Sequence, residues 1–410
     1  GESSKGNRVE GQWTGRIKTT AYAISTIDGK KTLIKENSLG NFDASPKGKY
    51  VYWYDPVQRN YFAWSAAAGS IKNITEKIKE PLYDVENDVP DYPGAQGIIG
   101  WIEDDRYLLV KDVYDFWQVD PRGIEDPKNL SNGWGKKNKT ELISYVRFDP
   151  EKRFIKANET ILLRSQDKTS KNGGFYNKKV NEVSDPVLVT AGPYTFNGPL
   201  KAKEAEQYII QRANIGQSEL FATADMKNLS QLSDVAAQQK EYNWLSVELV
   251  KWKMFDGKMS EGLLFKPENF DPKKKYPVIF YFYERDADGL FAYRAPAPSA
   301  STVNIPYFVS NGYIVFDPNI YYKDGEPGQS AYNSVVSAAK YLSKMPWVDS
   351  TRMAIQGQSW GGYQVAYLVT RTNMFRAAWA GAPVANMTSA YGGIRWGSGL
   401  NRQFQYEHTQ

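Results

Sequence analysis

The sequence predicts a partial β-propeller followed by an α/β domain built on a mostly parallel sheet, and three observations carry that expectation. Before residue 235, short aromatic and β-branched runs are divided by Gly, Asp, Asn and Pro, with hardly a helical period among them. After it, apolar runs of strand length alternate with segments of helical spacing, the grammar of a parallel sheet covered by helices. Within that second part, Met353-Ala-Ile-Gln-Gly-Gln-Ser-Trp-Gly-Gly-Tyr-Gln364 ends an apolar run in a serine flanked by glycines, just ahead of a helix-forming segment.

The all-β part is read from a repeat. Lys72-Asn-Ile-Thr75, Lys128-Asn-Leu-Ser131 and Lys227-Asn-Leu-Ser230 share one pattern, and each follows an aromatic-rich strand: Tyr61 to Trp64, Phe116 to Asp120 and Leu220 to Asp225. Each of those follows another strand, Tyr50 to Tyr54, Tyr107 to Val110 and Gln207 to Ile210. Ala44-Ser-Pro-Lys-Gly-Lys49 and Glu103-Asp-Asp-Arg106 supply turns that open two of the units. A less regular unit fits Thr160 to Val189, and half a unit fits Tyr22 to Ile34. At roughly 50 residues each, four-stranded units stack as propeller blades without leaving open edges. The tails also spell N-x-[ST], but their regular place at blade ends favours turn chemistry over glycosylation. About four and a half blades are expected in residues 1–240, with the α/β domain in 241–410.

Across the polar stretch Asp234 to Asn243 the pattern changes. Ser246 to Met254 and Gly262 to Lys266 read as a hairpin around Phe255-Asp-Gly257. Pro277 to Tyr283 and Gly312 to Asp317 are continuous apolar runs suited to buried parallel strands. Val335, Val336, Ala339 and Leu342 stand at helical spacing, and the segment ends before Pro346. Arg352 to Gln356, Gly362 to Arg371 and Ala377 to Gly381 complete a strand, a helix and a further strand.

Composition narrows the function classes. The chain has 410 residues, enough for two or more domains. With 51 Lys and Arg against 46 Asp and Glu the net charge is +5, a mild field, so no nucleic-acid partner is expected. Lys273-Lys274-Lys275 reads as a solvated loop. There is no cysteine, which removes disulfides, thiolate nucleophiles and cysteine metal sites, and neither a metal nor a cofactor is expected. No apolar run approaches the ~20 residues of a membrane span. The opening Gly-Glu-Ser-Ser-Lys-Gly-Asn lacks both an initiator methionine and a signal-peptide pattern, so a processed or cut N-terminus is expected.

Gly357-Gln-Ser-Trp-Gly361 reads as a nucleophile elbow, the strand-to-helix turn that carries the serine of an α/β-hydrolase. Small residues two before and two after the serine let strand and helix pass close together. Ser359 is the candidate nucleophile, and the backbone N–H of Trp360 is the first donor for an oxyanion. Together with the propeller-like half, Tyr276 to Tyr283, Gly357-Gln-Ser-Trp-Gly-Gly-Tyr363 and Gly381-Ala-Pro-Val384 resemble the prolyl oligopeptidase family of serine peptidases, and among them the bacterial dipeptidyl aminopeptidase/acylaminoacyl peptidase-like members. The resemblance implies hydrolysis of short peptides through an acyl-enzyme on Ser359, with the propeller limiting substrate access. It implies a second oxyanion donor in the hydroxyl of Tyr283, although the family's usual Tyr-Gly-Gly or Tyr-Ala-Gly run is Tyr283-Glu284-Arg285 here. It carries Val384 over as a wall of the pocket for the residue before the scissile bond, with Met387 where an aromatic often stands and Tyr391 nearby as pocket wall or packing. Ser359, Trp360 N–H and the Tyr283 hydroxyl are expected to face one cavity.

In this fold the acid and base follow the serine, Asp first and His later. After Ser359 the sequence holds one recognisable strand, no Asp, and His408, which falls about one βα unit beyond the elbow and too early for the catalytic loop. The expectation is an α/β-hydrolase domain whose C-terminal part is missing, with about 80 to 120 further residues in the natural protein, and a 410-residue chain that is inactive alone. A non-catalytic scaffold or binding protein that retains the fold is the alternative, supported by the absent base and opposed by the intact elbow; an esterase is a further one. Family members are commonly exported bacterial proteins, so periplasm or cell surface is the expected location; a homo-oligomer or a larger complex is left open.

Overall fold

The computed structural model describes residues 1–299 and 301–408. The described residues divide into two compact units, one of residues 1–192 with 391–408, the other of residues 193–390.

In the first unit the strands form small antiparallel sheets in sequential order. One has three strands, Glu2–Ser3, Thr19–Ile24 and Lys31–Ser38. The next is Asp43–Ala44, Tyr50–Asp55, Asn60–Ser65 and Ile71–Asn73. It is followed by Ile98–Trp101, Leu108–Lys111, Phe116–Val119 and Lys128–Asn129. The last is Thr140–Tyr145, Thr160–Asp167, Gly173–Lys179 and Val187–Gly192. These are blades of a propeller. Neighbouring blades share a core: Tyr52, Tyr61 and Ala63 of one pack with Trp101, Leu108 and Val110 of the next. Leu109 and Phe116 in turn join Leu142, Ile161 and Leu163.

Two of the repeated tails have a common physical task. Thr75 is fully buried, and its Oγ accepts the N–H of Tyr61 (2.8 Å) while donating to Asn60 Oδ1 (2.9 Å). Ser131, also fully buried, accepts the N–H of Phe116 (3.2 Å) and donates to Asn129 Oδ1 (3.0 Å). In these two blades the hydroxyl satisfies an N–H at the start of the aromatic strand, a donor the sheet ladder leaves over; the third tail differs, since Ser230 is exposed and the N–H of Leu220 donates to Ser233 Oγ (2.9 Å). The turns stand under similar control. The buried Asp105 carboxylate accepts from Ser45 Oγ (2.5 Å) and from the N–H groups of Lys47 (3.0 Å) and Lys49 (3.1 Å), which ties the turn of one blade to that of the next.

The second unit begins with one more four-stranded antiparallel sheet, Thr195–Lys201, Tyr208–Asn214, Gln217–Thr223 and Ser230–Gln231. Its hairpin end meets the following segment, with Ile215 O accepting from Trp244 Nε1 (2.8 Å) and Gly216 O from Gln239 Nε2 (2.8 Å). Contact and sheet grammar therefore mark different joints, since antiparallel blades end at Gln231 while the compact unit opens at Pro193.

The mixed sheet that follows has six strands: β1 (Leu245–Lys253), β2 (Met259–Pro267), β3 (Tyr276–Tyr281), β4 (Ile314–Pro318), β5 (Val348–Gln358) and β6 (Ala377–Gly381). Their order is β1-β2-β4-β3-β5-β6. The β1–β2 hairpin turns through Phe255-Asp-Gly257, where Gly257 takes φ 88. The pairs β4–β3, β3–β5 and β5–β6 are parallel, and β2–β4 is antiparallel. Both faces pack on helices. These are α1 (Ile305–Ser310) on one side, and on the other α2 (Pro327–Ala331), a π-helical turn over Tyr332–Val336, α3 (Ser337–Leu342) and α4 (Trp360–Val369). Val278, Phe280, Phe316 and Ile355 meet Val335, Ala339, Val365 and Leu368 on the α2–α4 side. Phe265, Ile279 and Val315 meet Val303, Ile305 and Val309 on the α1 side. No helix among the described residues is long and apolar enough to cross a membrane.

Thr75→Val keeps the volume and removes the hydroxyl, leaving the Tyr61 N–H buried and unpaired. The expected cost is about 1 to 3 kcal/mol of stability in a urea unfolding curve with unchanged slope.

Candidate active site

Four parallel strands deliver their carboxyl ends to the same edge of the sheet, and the sequence-predicted residues come from those ends. The decisive local feature is Ser359, which follows β5 with φ 59 and ψ −110 and precedes α4. A non-glycine residue at such angles costs on the order of 1 to 3 kcal/mol and persists only where its surroundings hold it. Here Ser359 N–H donates to Gly381 O (2.8 Å) and Ser359 O accepts from Tyr363 N–H (3.0 Å). The side chain is exposed.

The glycines around it are required by distance. A Cβ on Gly357 would stand 2.4 Å from Gly361 O, and one on Gly361 would stand 2.8 Å from Phe282 O. A Cβ on Gly362 would meet Gly381 O at 2.6 Å and Pro383 Cα at 3.0 Å. The three positions thus bring α4 against β5, against the end of β3, and against the chain leaving β6. Trp360 has its side chain buried at 4% exposure and stacked on Tyr363 (centroids 4.6 Å). Its N–H occupies the first helical position, where no intrahelical acceptor exists.

Tyr283 lies two residues beyond β3, with 37% of its surface exposed. Its ring borders the elbow: Cδ2 is 3.5 Å from where a Gly361 Cβ would be. Its carbonyl accepts from Tyr322 Oη (2.9 Å) and from Gln364 Nε2 (3.2 Å). Val384, half-buried, follows the Gly381-Ala-Pro segment that passes α4, and Met387, also half-buried, opens the short helix α5 (Met387–Tyr391). Tyr391 donates its hydroxyl to Glu407 Oε1 (2.6 Å) and sets its ring near Tyr406. His408 ends α6 (Gln403–His408), with Nδ1 3.9 Å from Asp91 Oδ1, an oxygen that Arg16 Nε also contacts at 2.6 Å.

Sequence reasoning passed over the residues that brace this edge. Asn319, just past β4, accepts the N–H groups of Asp286 (2.9 Å) and Ala287 (3.0 Å), and Ile320 N–H donates to Glu284 O (2.7 Å). Gln364 is fully buried on α4 beside Val365 and Leu368, and a glutamine among apolar neighbours was the one signal available. Beneath the same edge Asp317 is buried, its Oδ2 without a hydrogen-bond partner and 4.0 Å from Arg294 Nη2. Burial, with Asp286 nearby and only partly offset by Arg294, holds the Asp317 carboxyl well above its ordinary 3.8. Burial together with Asp317 and Asp286 pushes the Tyr281 hydroxyl up to about 12.

Residues 298–405 match the model of the prolyl oligopeptidase family. Over 153 residues the chain is 30% identical to dipeptidyl peptidase 8 of Homo sapiens, a stretch that takes in 33% of this chain and 16% of that protein. Over 131 residues it is 32% identical to a probable dipeptidyl-aminopeptidase B of Uncinocarpus reesii, covering 30% of this chain and 14% of the other. A putative dipeptidyl aminopeptidase IV from Bacteroides ovatus superposes with a TM-score of 0.59 at 16% identity, over 95% of this chain and 60% of that structure. Dipeptidyl peptidase 4 of Porphyromonas gingivalis gives 0.59 at 16% identity, over 96% and 55%. At such identities the structural likeness establishes the fold, a propeller with an α/β-hydrolase domain. The matched stretch spans about a sixth of the curated relatives' length.

The Asp317 geometry has a pH signature. Because its folded pKa lies above the unfolded one, the folded protein holds its proton more tightly, and stability falls as pH rises from about 4 through the folded value. Asp317→Asn is expected to match the parent in thermal unfolding at pH 4 and to unfold at a higher temperature at pH 8.

Proposed function

We propose, from the match of residues 298–405 to the prolyl oligopeptidase family, that the chain carries the nucleophile and the oxyanion donors of a serine peptidase acting on short peptides. The observation that carries the reading is Ser359 at φ 59 between β5 and α4, with glycines where neighbouring backbones cross. A strained, exposed serine in that turn is disposed for attack. Its Oγ would bond to the scissile carbonyl carbon, and the carbonyl oxygen would take the negative charge. The Trp360 N–H and the Tyr283 hydroxyl are assigned to that charge. As the tetrahedral species collapses, the C–N bond breaks, the amine leaves with a proton, and an acyl-enzyme remains for water to cleave. Val384 and Met387 are proposed to border the residue before the scissile bond. Peptide is favoured over lipid or ester by the family assignment and by the names of the relatives.

Ser359 needs a base to accept its proton. The sequence has one histidine, His408, and its neighbour is Asp91, in the unit of residues 1–192. We assign His408 to that contact and not to the serine, so residues 1–410 alone are proposed to turn over peptides feebly. A fluorophosphonate probe should then label Ser359 slowly in residues 1–410, at a rate that His408→Ala leaves unchanged. Loss of labelling in His408→Ala would make His408 the base.

The oxyanion assignment is tested in the full natural protein. Tyr283→Phe is expected to lower kcat by roughly 100- to 1,000-fold with little change in KM, the loss of one donor that acts in the transition state. A proportionate rise in KM with kcat intact would move Tyr283 to ground-state binding.

A further inference from the structure

If Tyr283 is the second oxyanion donor, something must hold it, because Tyr283-Glu-Arg-Asp-Ala-Asp288 leaves the sheet as a loop of side-chain-bearing residues. The structure has an assembly that meets this need. Gln364 Nε2 donates to the Tyr283 carbonyl (3.2 Å) and to Tyr322 Oη, and Tyr322 Oη donates to the same carbonyl (2.9 Å). The three groups close a triangle, and each side of it is a hydrogen bond. The triangle fixes the glutamine's orientation. A flipped amide would turn Oε1 toward a carbonyl oxygen, so the nitrogen must face Tyr283 and Oε1 must point away. Oε1 is buried there without a hydrogen-bond partner, a cost that a residue serving packing alone would avoid as methionine or leucine.

Gln364 belongs to α4, the helix whose first residue is Trp360 and whose preceding residue is Ser359. Through Gln364 that helix reaches the carbonyl of the other assigned donor. Tyr322 brings in the loop after β4, which Asn319 and Ile320 strap to residues 284–287. We infer that Gln364 and Tyr322 are positioning residues that lock the Tyr283 backbone to the nucleophile helix, so that Ser359, the Trp360 N–H and the Tyr283 hydroxyl keep one fixed spacing. The inference rests on the oxyanion role proposed for Tyr283.

The test is a double-mutant cycle in the full natural protein, with turnover of a short-peptide p-nitroanilide. Gln364→Met keeps the volume and removes the donor; Tyr322→Phe removes one hydroxyl and serves should the methionine variant fail to fold. Each is expected to lower kcat roughly ten- to a hundredfold with KM little changed, the scale of a small misplacement of a catalytic group. In a Tyr283→Phe background neither should lower kcat further by more than about twofold, since the group they position is already gone. Losses that multiply with that of Tyr283→Phe, or a methionine variant with parental kcat, would overturn this inference and leave the role of Tyr283 standing. A Tyr283→Phe enzyme with parental kcat would remove the oxyanion role and this inference with it.

Discussion

The α/β domain depends on one backbone constraint: at Ser359 the chain must change from strand to helix within a single residue. The reversal demands a positive φ, and it brings the helix so close to its own strand that only hydrogen fits on Gly357. Everything near the site inherits that closeness. Because α4 lies tight against β5, Gly361 can touch the end of β3 and Gly362 can touch the chain leaving β6. In the parallel order β4-β3-β5-β6 the carboxyl ends of β3, β5 and β6 therefore meet at the first turn of one helix.

A strained turn persists only if packing outweighs it, and the sheet supplies that packing on both faces. Val365 and Leu368 seat α4 on Phe280 and Ile355, and the other face is closed by Val303, Ile305 and Val309. At roughly 1.5 to 3 kcal/mol for each large apolar side chain removed from water, a few such residues exceed the cost of one unfavourable φ. Gly328 on α2 adds to the hold, for a Cβ there would stand 2.6 Å from the Tyr367 ring, so the helices lie close as well.

How much the sequence disclosed follows the range of each interaction. The elbow was legible because its physics is local, within Gly357 to Gly362, and demands particular residue types. Three of the blades were legible because they repeat an aromatic strand and a hydroxyl tail, and Thr75 and Ser131 show what the tail does in two of them. The brace was not legible: Gln364 lies 81 residues from Tyr283 and 42 from Tyr322, and no periodicity links them. Asp317 ends an apolar run and reads as a strand terminus, whereas it is in fact buried at the end of β4. The first strand, Glu2–Ser3, escaped because two polar residues carry no strand pattern, and its place comes from pairing with Thr20 and Ala21.

The loop after β3 shows how a structure can reach one end by different chemistry. A glycine run at positions 284 and 285 would allow a tight turn, but Glu284 and Arg285 stand there, and side chains at those positions narrow the backbone choices. The narrowing need not harm the site if the remaining conformation is held from outside. Ile320, Tyr322 and Gln364 donate to backbone carbonyls of residues 283–284, Asn319 Oδ1 accepts the N–H groups of Asp286 and Ala287, and Arg285 lies over the Tyr321 ring at 4.8 Å. Freedom that glycines would leave to the loop is replaced by restraints from β4 and α4. Those restraints come from the elements that flank Ser359, so the position of the loop and the position of Ser359 are set by the same parts of the fold.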